Sequence, residues 1–143
     1  MMTEQAVLEK NAACYVCGPQ NESGLRLQFE HTGLFTAETQ LVASAHHEGW
    51  QGMMHGGITF TLMDEAFGWC LLFEGVHAVT AKVETRFLKP IPTGTPLRVR
   101  AFVTADKKRL LDAEAEVTAL DDEGIVYASA TATMMRRAGG TER

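Results

Sequence analysis

Residues 55 to 65 read His-Gly-Gly-Ile-Thr-Phe-Thr-Leu-Met-Asp-Glu, a glycine turn opening an apolar segment that carries a carboxylate two helical turns in. The first N–H groups of a helix lack partners within it, and its N-terminus carries about half a positive charge. Gly56 and Gly57, without side chains to obstruct approach, can therefore hold a carbonyl oxygen that becomes negative during reaction, with Gly56 as the oxyanion donor and Gly57 against the substrate. Asp64 can activate water or attack a carbonyl carbon directly. Together these groups fit acyl transfer. At about 1.5 Å of rise per residue, Asp64 stands roughly 12 Å along the axis from Gly56, too far for both to serve one small site in a single chain. The spacing predicts that a second copy of the helix completes the site.

An aspartate in an apolar helix needs hydrogen bonds or solvent to offset its desolvation. Glu65, the competing carboxylate, lies about 100° further around the helix. There it falls on the apolar face between Leu72 and Ile58, a position suited to a buried pair or an intersubunit contact rather than to activating water. His55 is placed to bond the substrate carbonyl or to steady the loop, a positioning role. Trp50, Met53, Met54, Phe60 and Phe67 can line an acyl pocket, and flexible methionines suit either an aromatic or an aliphatic group. Arg86 and Lys89, beside the Pro92-Thr93-Gly94 turn, offer cations for a nucleotide phosphate.

No metal is expected. His46, His47 and His55 fit no common ligand spacing, and the knuckle-like pair Cys14 and Cys17 is followed by no second pair to complete four ligands. The sequence also lacks a G-x-S-x-G elbow and a phosphate-binding glycine loop.

The elements that must position these residues follow from periodicity. Alternation in Leu25–Phe29 and Phe35–Leu41 predicts two strands joined at His31-Thr32-Gly33. Residues 43–54 read as a loop. A helix runs from Gly57 or Ile58 to about Phe73 and stops near Gly75. Ile58, Leu62, Ala66, Trp69, Leu72 and Phe73 line one face and Phe60, Phe67 and Leu71 the other, so it must be wrapped on most sides. Four period-two stretches follow, Thr80–Leu88, Leu97–Ala105, Leu110–Ala119 and Ile125–Met135, the last three as a meander. The layout is α+β, with an antiparallel sheet curled around one helix. The 143 residues make one domain, with 1–24 an irregular lead-in and 137–143 a frayed tail.

A net charge of −5 and a pI near 5.5 argue against nucleic acid or an anionic membrane as partner. The first residues lack the apolar core of a secretory signal, and three cysteines suit free thiols in a reducing compartment, so a cytoplasmic protein is expected.

His55-Gly56-Gly57, Asp64, Gly68, Val79-Thr80, Arg86-Phe87-Leu88-Lys89-Pro90 and Pro92-Thr93-Gly94 together resemble the hotdog-fold acyl-CoA thioesterases, specifically the PaaI-like branch and the related thioesterase superfamily members 4 and 5. The resemblance runs from Cys14 to about Met135. It implies a hotdog fold and hydrolysis of an acyl-CoA, with no cofactor beyond the coenzyme A of the substrate. It also implies an antiparallel homodimer, or a dimer of dimers, that sets the glycine turn of one subunit beside the aspartate of the other. Thr80, sixteen residues past Asp64, matches an active-site threonine of the members 4 and 5 branch. Other branches carry Asn or Gln six residues before the histidine, where this chain has Gly49, leaving Gln51 as the nearby amide. The CxxCG segment at Cys14–Gly18 is similar to a turn-forming lead-in of the family. A non-catalytic acyl-CoA-binding or regulatory protein, and a hydratase or dehydratase acting on acyl thioesters, are the alternatives on the same fold.

Overall fold

Small residues on one face of the later strands decide how the chain packs. The computed structural model describes residues 12–137. Its elements are β1 (Glu30–Gly33), β2 (Thr36–Val42), a 3₁₀ turn (Ala45–His47), α1 (Gly56–Leu72), β3 (Ala78–Phe87), β4 (Pro96–Lys107), β5 (Leu110–Ala119) and β6 (Asp122–Arg136). The strands form one antiparallel sheet in the order β1-β2-β4-β5-β6-β3, so the chain crosses to the far edge after the helix.

Ala37, Ala101, Ala115 and Ala130 pair in register across four strands, and all are buried. Ala113, Ala128 and Ala132 extend this band. The shallow side chains form a trough in which α1 lies close to the sheet, filling it with Leu62, Met63, Phe67 and Leu71. Register slips at Thr80–Lys82, Val103–Ala105 and Val117–Ala119 bend the strands around the helix. The α+β layout expected from the pattern, a sheet curled around one helix, is the one observed, and it is the hotdog fold that the resemblance implies.

One stripe of the helix escapes the wrap. Gly57, Phe60, Thr61, Asp64 and Gly68 recur at three- and four-residue spacing, and each is half-buried or exposed. The helix ends where predicted. Gly75 takes φ +76, its N–H donates to Leu72 O, and Val76 N–H donates to Leu71 O, a Schellman closure that an L side chain would strain. Among the described residues, no helix is long and apolar enough to cross a membrane.

The first hairpin departs from the prediction. Leu25–Phe29 is not a strand of the sheet; β1 begins at Glu30, and the turn falls at Leu34-Phe35 rather than His31-Thr32-Gly33. Leu25, Leu27 and Phe29 do pack half-buried on the core, which produces the alternation. Their backbone bonds go elsewhere: Leu25 and Leu27 N–H donate to Tyr15 and Val16 O, both at 2.8 Å. Periodicity reported burial, and the hydrogen bonds chose the lead-in over the sheet. The expected irregular stretch and frayed tail at 1–11 and 138–143 lie outside the described residues.

Glu74, just past the helix, braces this displaced turn. Its Oε2 accepts from Phe35 N–H and lies against His31 Nε2, both at 2.8 Å. The Phe35 N–H first, and His31 after it, hold the carboxyl below its ordinary value of 4.5. A carboxylate depressed on folding contributes stability above its unfolded pKa and loses it as pH falls through the folded value. Protection of the Phe35 amide against hydrogen exchange is therefore expected to drop on acidification below about 4.5, and to be low at all pH values in Glu74→Gln. Protection that stays constant across that range in the wild type would refute the brace.

Candidate active site

His55 caps α1 with its side chain. In extended conformation (φ −64, ψ 134), it accepts the Gly57 N–H at Nδ1 over 2.8 Å, which puts the neutral ring's proton on Nε2. Its carbonyl accepts from Ile58 and Thr59 N–H at 2.9 and 3.1 Å. Of the four N–H groups that open the helix, only that of Gly56 has no acceptor among the described residues. The open donor is thus Gly56, whereas the Gly57 N–H, expected to face substrate, is taken by His55. Gly49 gives this cap room. A Cβ there would stand 3.0 Å from the His55 ring, so a side chain at that position would press His55 outward by a few tenths of an ångström.

Beside Gly56 lies an apolar cleft of about 340 Å³, lined by Trp50, Met53 and Met54 from the loop and by Phe87, Leu88 and Lys89 from the end of β3 onward. Trp50, Met54 and Lys89 thus meet around one pocket. Phe60 is not among the residues of this cleft and faces outward on the uncovered stripe of α1. Two expectations are corrected, those on Phe67 and Arg86. Phe67 is fully buried in the core and does not line the cleft. Arg86 is parted from Lys89 by strand alternation. It points to the other side of the sheet, into a groove with Phe102, Glu114 and Glu116, while Phe87 turns toward Gly56. The sequence reading missed Phe87 and Tyr127 as lining residues, though Phe87 lay inside the Arg86–Pro90 motif. Gln51 is exposed at the loop tip.

Asp64 is half-buried on the open stripe, and Thr80, at the start of β3, donates its hydroxyl to Asp64 Oδ1 at 2.9 Å. One carboxylate oxygen is fixed by the threonine. Among the described residues Oδ2 has no partner, so it can meet a water. Glu65 turns the other way. It is buried, and its Oε2 accepts from Trp69 Nε1 at 3.1 Å and from the Cys14 thiol at 3.7 Å. The histidines of the preceding loop act locally: Ser44 N–H donates to His47 Nδ1, and His46 N–H to Ser44 Oγ.

A single buried helix wrapped by a curved antiparallel sheet, with an open N–H at its start and a carboxylate held on its exposed stripe, is the architecture of a hotdog protein. The thioesterase superfamily model matches residues 51–126, more than half of the chain, and the chain belongs to that family. It is 31% identical over 91 residues to the acyl-coenzyme A thioesterase THEM4 of Mus musculus, a match covering 64% of this chain and 39% of that protein. The chain thus spans about two fifths of the length of that curated relative. The crystal structure of a thioesterase superfamily protein superposes with a TM-score of 0.79 at 22% identity, over 85% of this chain and 62% of that one. A single-residue mutant of the phenylacetic acid degradation protein PaaI from Thermus thermophilus gives 0.70 at 26%, over 78% and 93%.

Proposed function

We propose that the protein hydrolyses an acyl-CoA thioester to the free acid and coenzyme A. The observation that carries this reading is the Asp64–Thr80 pair on the uncovered stripe of the same helix whose first N–H, that of Gly56, is open. THEM4, described as an acyl-coenzyme A thioesterase, supplies the substrate class. Asp64 takes a proton from water as the water oxygen bonds to the thioester carbon, or attacks that carbon itself. The Gly56 N–H holds the oxyanion; the C–S bond then breaks, and the thiolate leaves and is protonated; where Asp64 has attacked, water next cleaves the acyl–Asp64 anhydride, releasing the acid and restoring the carboxylate. His55 positions the turn, and Thr80 orients the carboxylate.

A second copy completes the site. Gly56 and Asp64 are eight residues apart on one rigid helix, about 12 Å along its axis. Beside them β3 is an edge strand carrying exposed apolar side chains, Val79 at 47% and Phe87 at 60%, with Leu88 just beyond at 54%. Exposed apolar area of this kind beside an unpaired strand suits a subunit interface. Trp50, Met54 and Phe87 receive the acyl chain, and Lys89 at the rim holds a phosphate of coenzyme A.

The test is free-thiol release from a panel of phenylacetyl-, hydroxybenzoyl- and short- to long-chain acyl-CoAs. Turnover of at least one thioester, with equal release of acid and thiol, is expected. Acyl-CoA that binds without thiol release makes the protein a binder, and a double bond lost or gained with the thioester intact makes it a hydratase or dehydratase.

A further inference from the structure

The lead-in brings both of its cysteines to the one buried carboxylate of α1. Cys14 Sγ lies 3.7 Å from Glu65 Oε2, and one ligand atom from each of Cys14, Cys17 and Glu65 lies within 4.8 Å of the other two. The knuckle spacing lacked completing ligands in the sequence; the fold supplies one from 51 residues beyond Cys14. Two sulfurs and a carboxylate oxygen form a donor set that zinc accepts. With Zn–S near 2.3 Å and Zn–O near 2.1 Å, a tetrahedral angle separates sulfur and oxygen by about 3.6 Å. The observed edge of 3.7 Å needs almost no rearrangement.

Two further features build the site. The Gly18 N–H donates to Cys14 O at 2.9 Å, and a Cβ at Gly18 would stand 2.3 Å from Cys14 N, so this knuckle closes only on glycine. The Trp69 N–H donates to Glu65 Oε2, orienting the carboxylate as outer-shell partners orient metal ligands.

We propose that Cys14, Cys17 and Glu65 form a binding site for a divalent thiophilic cation of the zinc class, which clamps the lead-in to helix α1. Binding releases the thiol protons and sets three protein ligands around the ion, with water in the fourth position.

The experiment titrates cobalt into the reduced, chelator-stripped full chain, then displaces it with zinc. A single equivalent is expected to give thiolate-to-cobalt charge-transfer absorption and a tetrahedral visible band, both erased by zinc. Cys14→Ser/Cys17→Ser is expected to lose the bands, and Glu65→Gln, which keeps the shape of the side chain, to weaken binding by about tenfold or more. Circular dichroism checks that each variant is folded. The absence of bands in a folded chain whose thiols titrate as free overturns the proposal. So does equal affinity in Glu65→Gln, which would leave only a surface pair of cysteines, and so does a Cys14–Cys17 disulfide that persists under reductant.

Discussion

Asp64→Ala is expected to lower kcat for acyl-CoA hydrolysis by about 10²–10⁴-fold, the usual contribution of a positioned acid–base group, while the protein stays folded. Asp64 sits on the exposed stripe of α1, so its removal opens no core cavity. Among the described residues its side chain is bonded by the exposed Thr80 hydroxyl, which water can satisfy afterwards. The loss therefore reads as chemistry. Asp64→Asn sharpens the point, because it keeps an acceptor for Thr80 but cannot take a proton, and its kcat is expected to fall as far. Thr80→Val, which frees the carboxylate without removing it, is expected to do less damage. Initial rates of thiol release, with KM separated from kcat and urea midpoints recorded alongside, decide the matter. Activity surviving within a few-fold in Asp64→Asn would move the base to another residue.

The second large effect is expected from Gly56→Pro. Proline is favoured at the first helical position, because the N–H it lacks has no partner within the helix. The residue before it must be extended, and His55 already is, at ψ 134. The helix should therefore persist while the one open donor disappears, and kcat is expected to fall by about 10²–10³-fold, as for other lost oxyanion donors. Gly56→Ala is the control: it keeps the N–H and sets a Cβ 3.5 Å from the Phe87 ring, an ordinary contact. A Gly56→Pro enzyme as active as Gly56→Ala would mean that the oxyanion is held elsewhere.

The sequence disclosed the parts of this molecule that repeat. Alternation through β4, β5 and β6 is long, and each strand has one buried face, so their bounds were close to those observed. The Leu25–Phe29 stretch shows the limit, since the same alternation arises wherever a segment lies half-buried, whichever backbone it bonds. At the site, the glycine turn and Asp64 were visible because helical geometry fixes their spacing. Arg86 was misplaced because adjacency in sequence means opposite faces on a strand. Glu65 was expected to be buried, yet its partners Cys14 and Trp69 differ in kind: Trp69 is one helical turn away, whereas Cys14 arrives only through tertiary packing.

In the proposed reading, helix α1 carries the oxyanion donor at its start and the base two turns on, and with a second, antiparallel copy these serve different pockets. Each helix is then a tie rod between two reaction centres. Sliding it along its axis would withdraw the donor from one centre and the base from the other in the same movement. Two turnover cycles would thus share one mechanical alignment, and an acyl group seated in either pocket would be felt in the other.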